Sequence, residues 1–147
     1  MRLIFASVSA HGHIYPLLPL AVAARDAGHD VVFATGESFH PVLRGAGLAA
    51  VSAGNGLGSA FSHALRGSRP DAPHADTIRA MAKVFGDVMP RQVVRDLEPV
   101  FGSFAPDLVI HEAANTGAGM AAKLAGVPAL CHGTGRGAGP RGRRGAA

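Results

Sequence analysis

Five short apolar runs recur along the chain, each bounded by glycine, proline or polar turn residues. They are residues 2–7 (RLIFAS), 30–35 (DVVFAT), 48–53 (LAAVSA), 107–112 (DLVIHE) and 127–132 (VPALCH). Their apolar character is nearly continuous rather than strictly alternating, the pattern of strands covered on both faces in a parallel sheet. Between the runs lie segments of helical character. Residues 16–27 predict a helix with Pro16 in its first turn, where the missing N–H costs nothing, and Gly28 as its stop. Residues 37–46 predict a short helix ended by Gly45 and Gly47. Over 75–103, Ile78, Met81, Ala82, Phe85 and Met89 recur at three- and four-residue steps, with Pro90 breaking the run and a second helix reaching about Phe104. Residues 116–126 predict a helix of small residues ended by Gly126. Residues 54–73, rich in Gly, Ser and Pro, read as a mobile loop with one helical turn at 60–66. Strands alternating with helices predict an α/β fold: a Rossmann-like, doubly wound parallel sheet of about five strands with right-handed crossovers. No internal repeat is visible.

The last fifteen residues, GTGRGAGPRGRRGAA, break the pattern. They hold no acidic and no large apolar residue, so they cannot form a core element and read as disordered. The same segment accounts for the net charge of +4. Ten of the 14 basic side chains lie in residues 1–135 together with all ten acidic ones; Arg136, Arg141, Arg143 and Arg144 supply the excess. The body is therefore neutral, which argues against a nucleic-acid partner. A single cysteine, Cys131, allows no disulfide within the chain and suits a reducing, cytoplasmic setting. No apolar stretch is long enough for a bilayer, so no membrane partner is expected. The N-terminal run is cut by histidines and Pro16 before it resembles a signal peptide.

Candidate chemistry gathers in SAHGHIYP, between the first strand and the first helix. Ligands of open α/β sheets bind beyond the carboxyl ends of the strands. His13 falls at or just before the helix N-terminus, where the dipole favours a neutral imidazole able to accept a proton from a substrate hydroxyl. Glu112 ends the fourth strand. Strands one and four are neighbours in doubly wound sheets, so Glu112 is placed to orient the ring, as a carboxylate does in a triad. The bland alternative is a pair of solvated loop histidines, and His11 itself reads as a loop residue. His11, His13 and His111 lack the spacing of a zinc site and Cys131 does not complete one, so no metal is expected. Gly117, Gly119 and Ala122 form G-x-G-x-x-A, but the motif does not follow its strand directly and no acidic residue lies about 20 positions on. Close helix–sheet packing explains it better than dinucleotide binding.

At His13 the chain becomes recognisable. HGHIYPLLPLAVAARDAGHDVVFATGE, with its G-H-x-x-P signature, and PDLVIHEAANTGAGMAAKLAGVPAL at 106–130 resemble family-one (UDP-glycosyltransferase-like) glycosyltransferases of the GT-B fold. Actinobacterial natural-product and macrolide enzymes are nearest in character. The resemblance covers residues 1–135 and implies a partial N-terminal, acceptor-binding GT-B domain there, with a disordered tail at 136–147. It implies that His13 is the general base and that Glu112 stands where relatives place an acid, commonly Asp, that pairs with it. Thr134 becomes a donor-contact candidate, and Ser9, His11, Gly12, Phe85 and Met89 become acceptor-pocket candidates. It implies inverting transfer without a cofactor, a nucleotide-diphosphate sugar being the co-substrate and a small-molecule natural product the acceptor. It also implies a second, donor-binding domain that is missing or separate, so the expected reading is a truncated, inactive fragment. A non-catalytic binding module, or a subunit that needs a partner chain, is the alternative. A nicotinamide-dependent oxidoreductase is disfavoured by the missing fingerprint after the first strand.

Overall fold

The computed structural model describes residues 1–54, 56–64 and 73–133, with backbone alone at 57, 63, 64 and 73–75. The expected tail at 136–147, Thr134 and the middle of the 54–73 segment lie outside the described residues. In chain order the elements are β1 (Arg2–Ala6), α1 (His11–Ile14), α2 (Leu18–Asp26) and β2 (Asp30–Thr35). A 3₁₀ turn (Glu37–Phe39) leads into α3 (His40–Gly45) and β3 (Ala49–Ser52). There follow α4 (Leu57–Ala64), α5 (Pro73–Lys83), a π-helical turn (Val84–Val88) and α6 (Met89–Phe104), then β4 (Leu108–Glu112), α7 (Thr116–Leu124) and β5 (Ala129–His132). All five strands are parallel, in the order β3-β2-β1-β4-β5. β1 is thus central and β4 is its neighbour, so the loops that follow them meet at one end of the sheet.

The apolar runs become strands because each must bury side chains on two faces. Phe5, Phe33 and Ile110 point to one face, where Ile14, Leu17, Ala21 and Leu43 of the helices cover them. Ile4, Ala6, Ala34 and Val109 point to the other, under Val93 and Leu97 of α6 and Ala118, Ala121 and Ala122 of α7. Phe5 and Phe33 stack across β1 and β2 with ring centroids 6.2 Å apart. Close approach explains Gly117: a Cβ there would lie 2.8 Å from the backbone of Pro90. The G-x-G-x-x-A motif therefore serves packing of α7 on α6 and on the sheet.

Four details differ from the sequence reading. The first helix does not run through 16–27. It begins at Leu18 as α2, with Pro19 rather than Pro16 in its first turn, and a separate one-turn helix, α1, precedes it at His11–Ile14. Residues 57–64 form a helix, where one helical turn at 60–66 was expected within a loop. Pro90 does not end a helix but occupies the first turn of α6, which follows the π-helical turn without an intervening loop. Finally, the apolar stripe of α5 is not wholly inward: Ala80 and Val84 are buried, whereas Ile78 and Met81 face solvent.

Candidate functional site

The loop after β1 is drawn tight by its own backbone. Ala10 is extended (φ −151°, ψ 147°) and its carbonyl accepts the N–H groups of His13 and Ile14, both at 3.0 Å. Ile14 and Leu17 are fully buried and pin this turn to the core. Residue 13 is thereby directed toward the end of β4. His13 lies inside a one-turn helix and not at the N-terminus of a long one, so its nearest electrostatic neighbour is a carboxylate and not a helix dipole.

That carboxylate is Glu112, which no solvent reaches. Its Oε1 accepts the N–H of Val8 at 3.1 Å, and its Oε2 accepts the N–H of Ala114 at 2.7 Å. Oε2 also lies 3.1 Å from Nδ1 of His13. A buried charge without such donors would be strongly unfavourable; here two backbone amides and an imidazole surround it. The contact with His13 is at hydrogen-bond distance, yet the ring is not turned to aim an N–H along it. Such misalignment in an unliganded site is the kind that substrate binding commonly tightens. Nδ1 is shielded from solvent while the side chain as a whole is 30% exposed. The exposure therefore falls on the far edge of the ring, which carries Nε2.

The turn that delivers Glu112 is equally local. The N–H of Asn115 returns to the Glu112 carbonyl at 3.0 Å, and the Asn115 side chain caps α7 by accepting the N–H of Ala118 at 3.4 Å. The longer Glu side chain lets one carboxylate bind amides from both loops. Neither amide, Val8 or Ala114, carries a side-chain signal, and sequence reasoning missed both.

The other candidates are placed as follows. His11 is exposed and turned away from the pair, its ring edge-on to Phe39 (4.9 Å) and near Tyr15 (5.6 Å). Ser9 Oγ is 3.3 Å from Ser38 Oγ, in a contact between the loops after β1 and β2. Gly12 is exposed with open space around its Cα. Phe85 packs edge-on against Phe61 (6.2 Å), in a small apolar cluster with Val8, Ala60, Val84 and Met89 above the site; Met89 is buried within it. His111 points to the opposite face, toward Gly119, where a Cβ would lie 2.7 Å from its Nε2. Among the described residues no three His, Cys, Asp or Glu side chains converge as metal ligands, and no helix is long and apolar enough to cross a membrane.

Comparison with known proteins agrees with the fold described above. The family model "Erythromycin biosynthesis protein CIII-like, N-terminal domain" matches residues 22–143. The L-demethylnoviosyl transferase of Streptomyces niveus is 34% identical over 134 residues, 90% of this chain and 34% of that one. The 10-deoxymethynolide desosaminyltransferase of Streptomyces venezuelae is 31% identical over 146 residues, 86% of this chain and 34% of that one. Among solved structures, the glycosyltransferase SsfS6 of Streptomyces sp. SF2575, complexed with thymidine diphosphate, superposes with a TM-score of 0.75 at 25% identity, over 90% of this chain and 38% of that chain. The chain thus spans about a third of the length of the curated relatives it matches.

Proposed function

Because this chain belongs to the family of erythromycin biosynthesis protein CIII-like N-terminal domains, we propose that it is the acceptor-binding domain of an inverting natural-product glycosyltransferase. The observation that carries the reading is the His13–Glu112 contact of 3.1 Å, built on a fully buried carboxylate with the far edge of the imidazole open. Nε2 of His13 takes the proton of an acceptor hydroxyl. The freed oxygen attacks the anomeric carbon of a nucleotide-diphosphate sugar, the bond from that carbon to the diphosphate oxygen breaks, and the diphosphate leaves with the bonding pair. Glu112 holds the ring in the tautomer that leaves Nε2 free and stabilises the imidazolium that forms. The chemistry needs no metal. The acceptor is a small-molecule natural product, as the 10-deoxymethynolide in the name of the Streptomyces venezuelae relative suggests. A thymidine nucleotide in the donor is suggested by the complex of SsfS6.

Residues 1–135 form the acceptor domain in this reading. The donor is bound by sequence corresponding to the part of the relatives that these residues do not span, so the 147 residues alone do not turn over. The test joins this chain to the donor-binding half of a structurally similar glycosyltransferase and follows sugar transfer by anomeric proton coupling. Transfer with inversion supports the proposal; transfer with retention contradicts it. Tight binding of a nucleotide sugar by the 147 residues alone, measured by calorimetry, contradicts the division of labour and favours a self-sufficient binding module.

A further inference from the structure

The sheet register places a row of polar side chains across all five strands at their carboxyl ends. Thr35 of β2 pairs with Ser52 of β3, and Glu112 of β4 pairs with His132 of β5. Between them Ser7 continues β1, its N–H donating to the carbonyl of Ala34 at 3.1 Å, one position beyond the pairs Ala6–Ala34 and Ala6–His111. Residues paired in neighbouring parallel strands face the same way. Ser52, Thr35, Ser7, Glu112 and His132 therefore form one layer, directly above the apolar layer of Ala50, Phe33, Phe5, Ile110 and Leu130 and on the same face. His132 is the direct cross-strand neighbour of the carboxylate proposed to hold His13.

Two observations give His132 a role. Its Nδ1 is shielded from solvent and has no hydrogen-bond partner, unusual for a buried polar atom. Glu112 has spare capacity: a carboxylate offers about four acceptor positions, and the donors found are Val8, Ala114 and the off-line His13. No direct hydrogen bond or ion pair joins His132 to Glu112 among the described residues, so a link between these cross-strand neighbours would run through an intervening water.

Resting on the reading of His13 and Glu112 as a working pair, we infer that His132 is a positioning residue of the site. Its Nδ1 is linked through a bridging water to the Glu112 carboxylate and so fixes the angle at which that carboxylate meets His13. His132 touches neither acceptor nor sugar in this account; it acts through Glu112. The backbone supports the arrangement, because the carbonyl of His132 accepts the N–H of Ala113 at 3.1 Å and locks the end of β5 to the residue after Glu112.

The test uses the 147-residue chain labelled with ¹⁵N, and long-range proton–nitrogen spectra of the imidazoles at one fixed pH. The Nδ1 and Nε2 signals of His13 report its tautomer and hydrogen bonding. His132→Phe keeps a ring but removes the nitrogens, and it is expected to shift the His13 signals. His132→Asn, whose amide reaches the position of Nδ1, is expected to return them toward wild type. Glu112→Gln is expected to shift them most. His13 signals unmoved by His132→Phe but moved by Glu112→Gln overturn the role of His132 and leave the pair standing. Signals unmoved by either variant overturn the pair itself. A shift produced equally by His132→Phe and His132→Asn marks a packing effect and also overturns the inference. If the phenylalanine variant does not fold, His132→Ala carries the same comparison.

Discussion

The junction of β1 with β4 and the flank formed by α7 with β5 belong to one sheet, yet they treat polar and apolar groups in opposite ways. At the junction Ile4 and Val109 are fully buried, as is Phe33 of the adjoining β2, and the one buried carboxylate among the described residues, Glu112, is held by amides from two loops. At the flank the large apolar groups face out: Leu124 is 77% exposed, Leu130 52% and Met120 50%. A shallow groove of about 550 Å³ between His111, Thr116, Gly119, Met120, Lys123 and Leu124 adds to this face. The junction uses its burial to fix a polar site, while the flank buries the small residues Ala118, Ala121 and Ala122 of α7 and leaves strand β5 as an edge of the described sheet. Stability and site geometry therefore have a common source in β1, β2 and β4.

The comparison fails first if the flank proves as stabilising as the junction. Phe33→Ala should cost about 3–5 kcal/mol in denaturant unfolding. Leu130→Ser, at a half-exposed position, should change stability by no more than about 0.5 kcal/mol. Equal costs would erase the distinction. Next in size is Glu112→Leu, which keeps volume but orphans the Val8 and Ala114 amides at about 1–3 kcal/mol each. Those two amides should also lose hydrogen-exchange protection ahead of the rest of β1. Gly117→Ala, forced against the Pro90 backbone, should cost about 1–3 kcal/mol through overpacking. Gly12→Ala, in open space, should be nearly neutral in the same denaturant unfolding experiment.

The smallest effect is one of pH. Hydrogen bonding to Arg91, one turn along the helix, and its charge hold the Asp87 carboxyl below its ordinary range. The N–H of Arg2 does the same for Asp107, with a further contribution from the Arg2 charge. A depressed carboxyl adds stability above the unfolded carboxylate range and loses it as pH falls through the depressed folded value. Both groups are exposed, so Asp107→Asn should flatten the acid limb of the stability curve only slightly. A large flattening would mean that the β1–β4 end depends on this surface contact.

The five strands were legible in sequence because burial on both faces leaves continuous apolar runs, and one pairing, β1 beside β4, followed from the usual topology of such sheets. The helix at 57–64 was legible only as a single turn at 60–66, because Gly, Ser and Ala there favour a loop and contacts with the π-helical turn, α5 and Val8 help hold it. The start of α2 at Leu18 was missed because Pro16 was read as the helix start, although a second proline at 19 competes for that role. Ile78 and Met81 have helical spacing, but spacing does not say which face meets the core. His13 and Glu112 were found from their places at strand ends, and the contact between them needed the fold. His132 went unremarked because its relation to Glu112 lies in the cross-strand register, which no single segment displays.

The central claim is that His13, oriented by Glu112, is the base of sugar transfer. The most direct measurement is the single-turnover transfer rate of the chain joined to a donor-binding half, compared with its His13→Ala variant at saturating acceptor. The account predicts a loss of about 10²–10⁴-fold, the usual contribution of a positioned general base, with the fold of the variant unchanged. A His13→Ala variant that transfers sugar at the wild-type rate would contradict it.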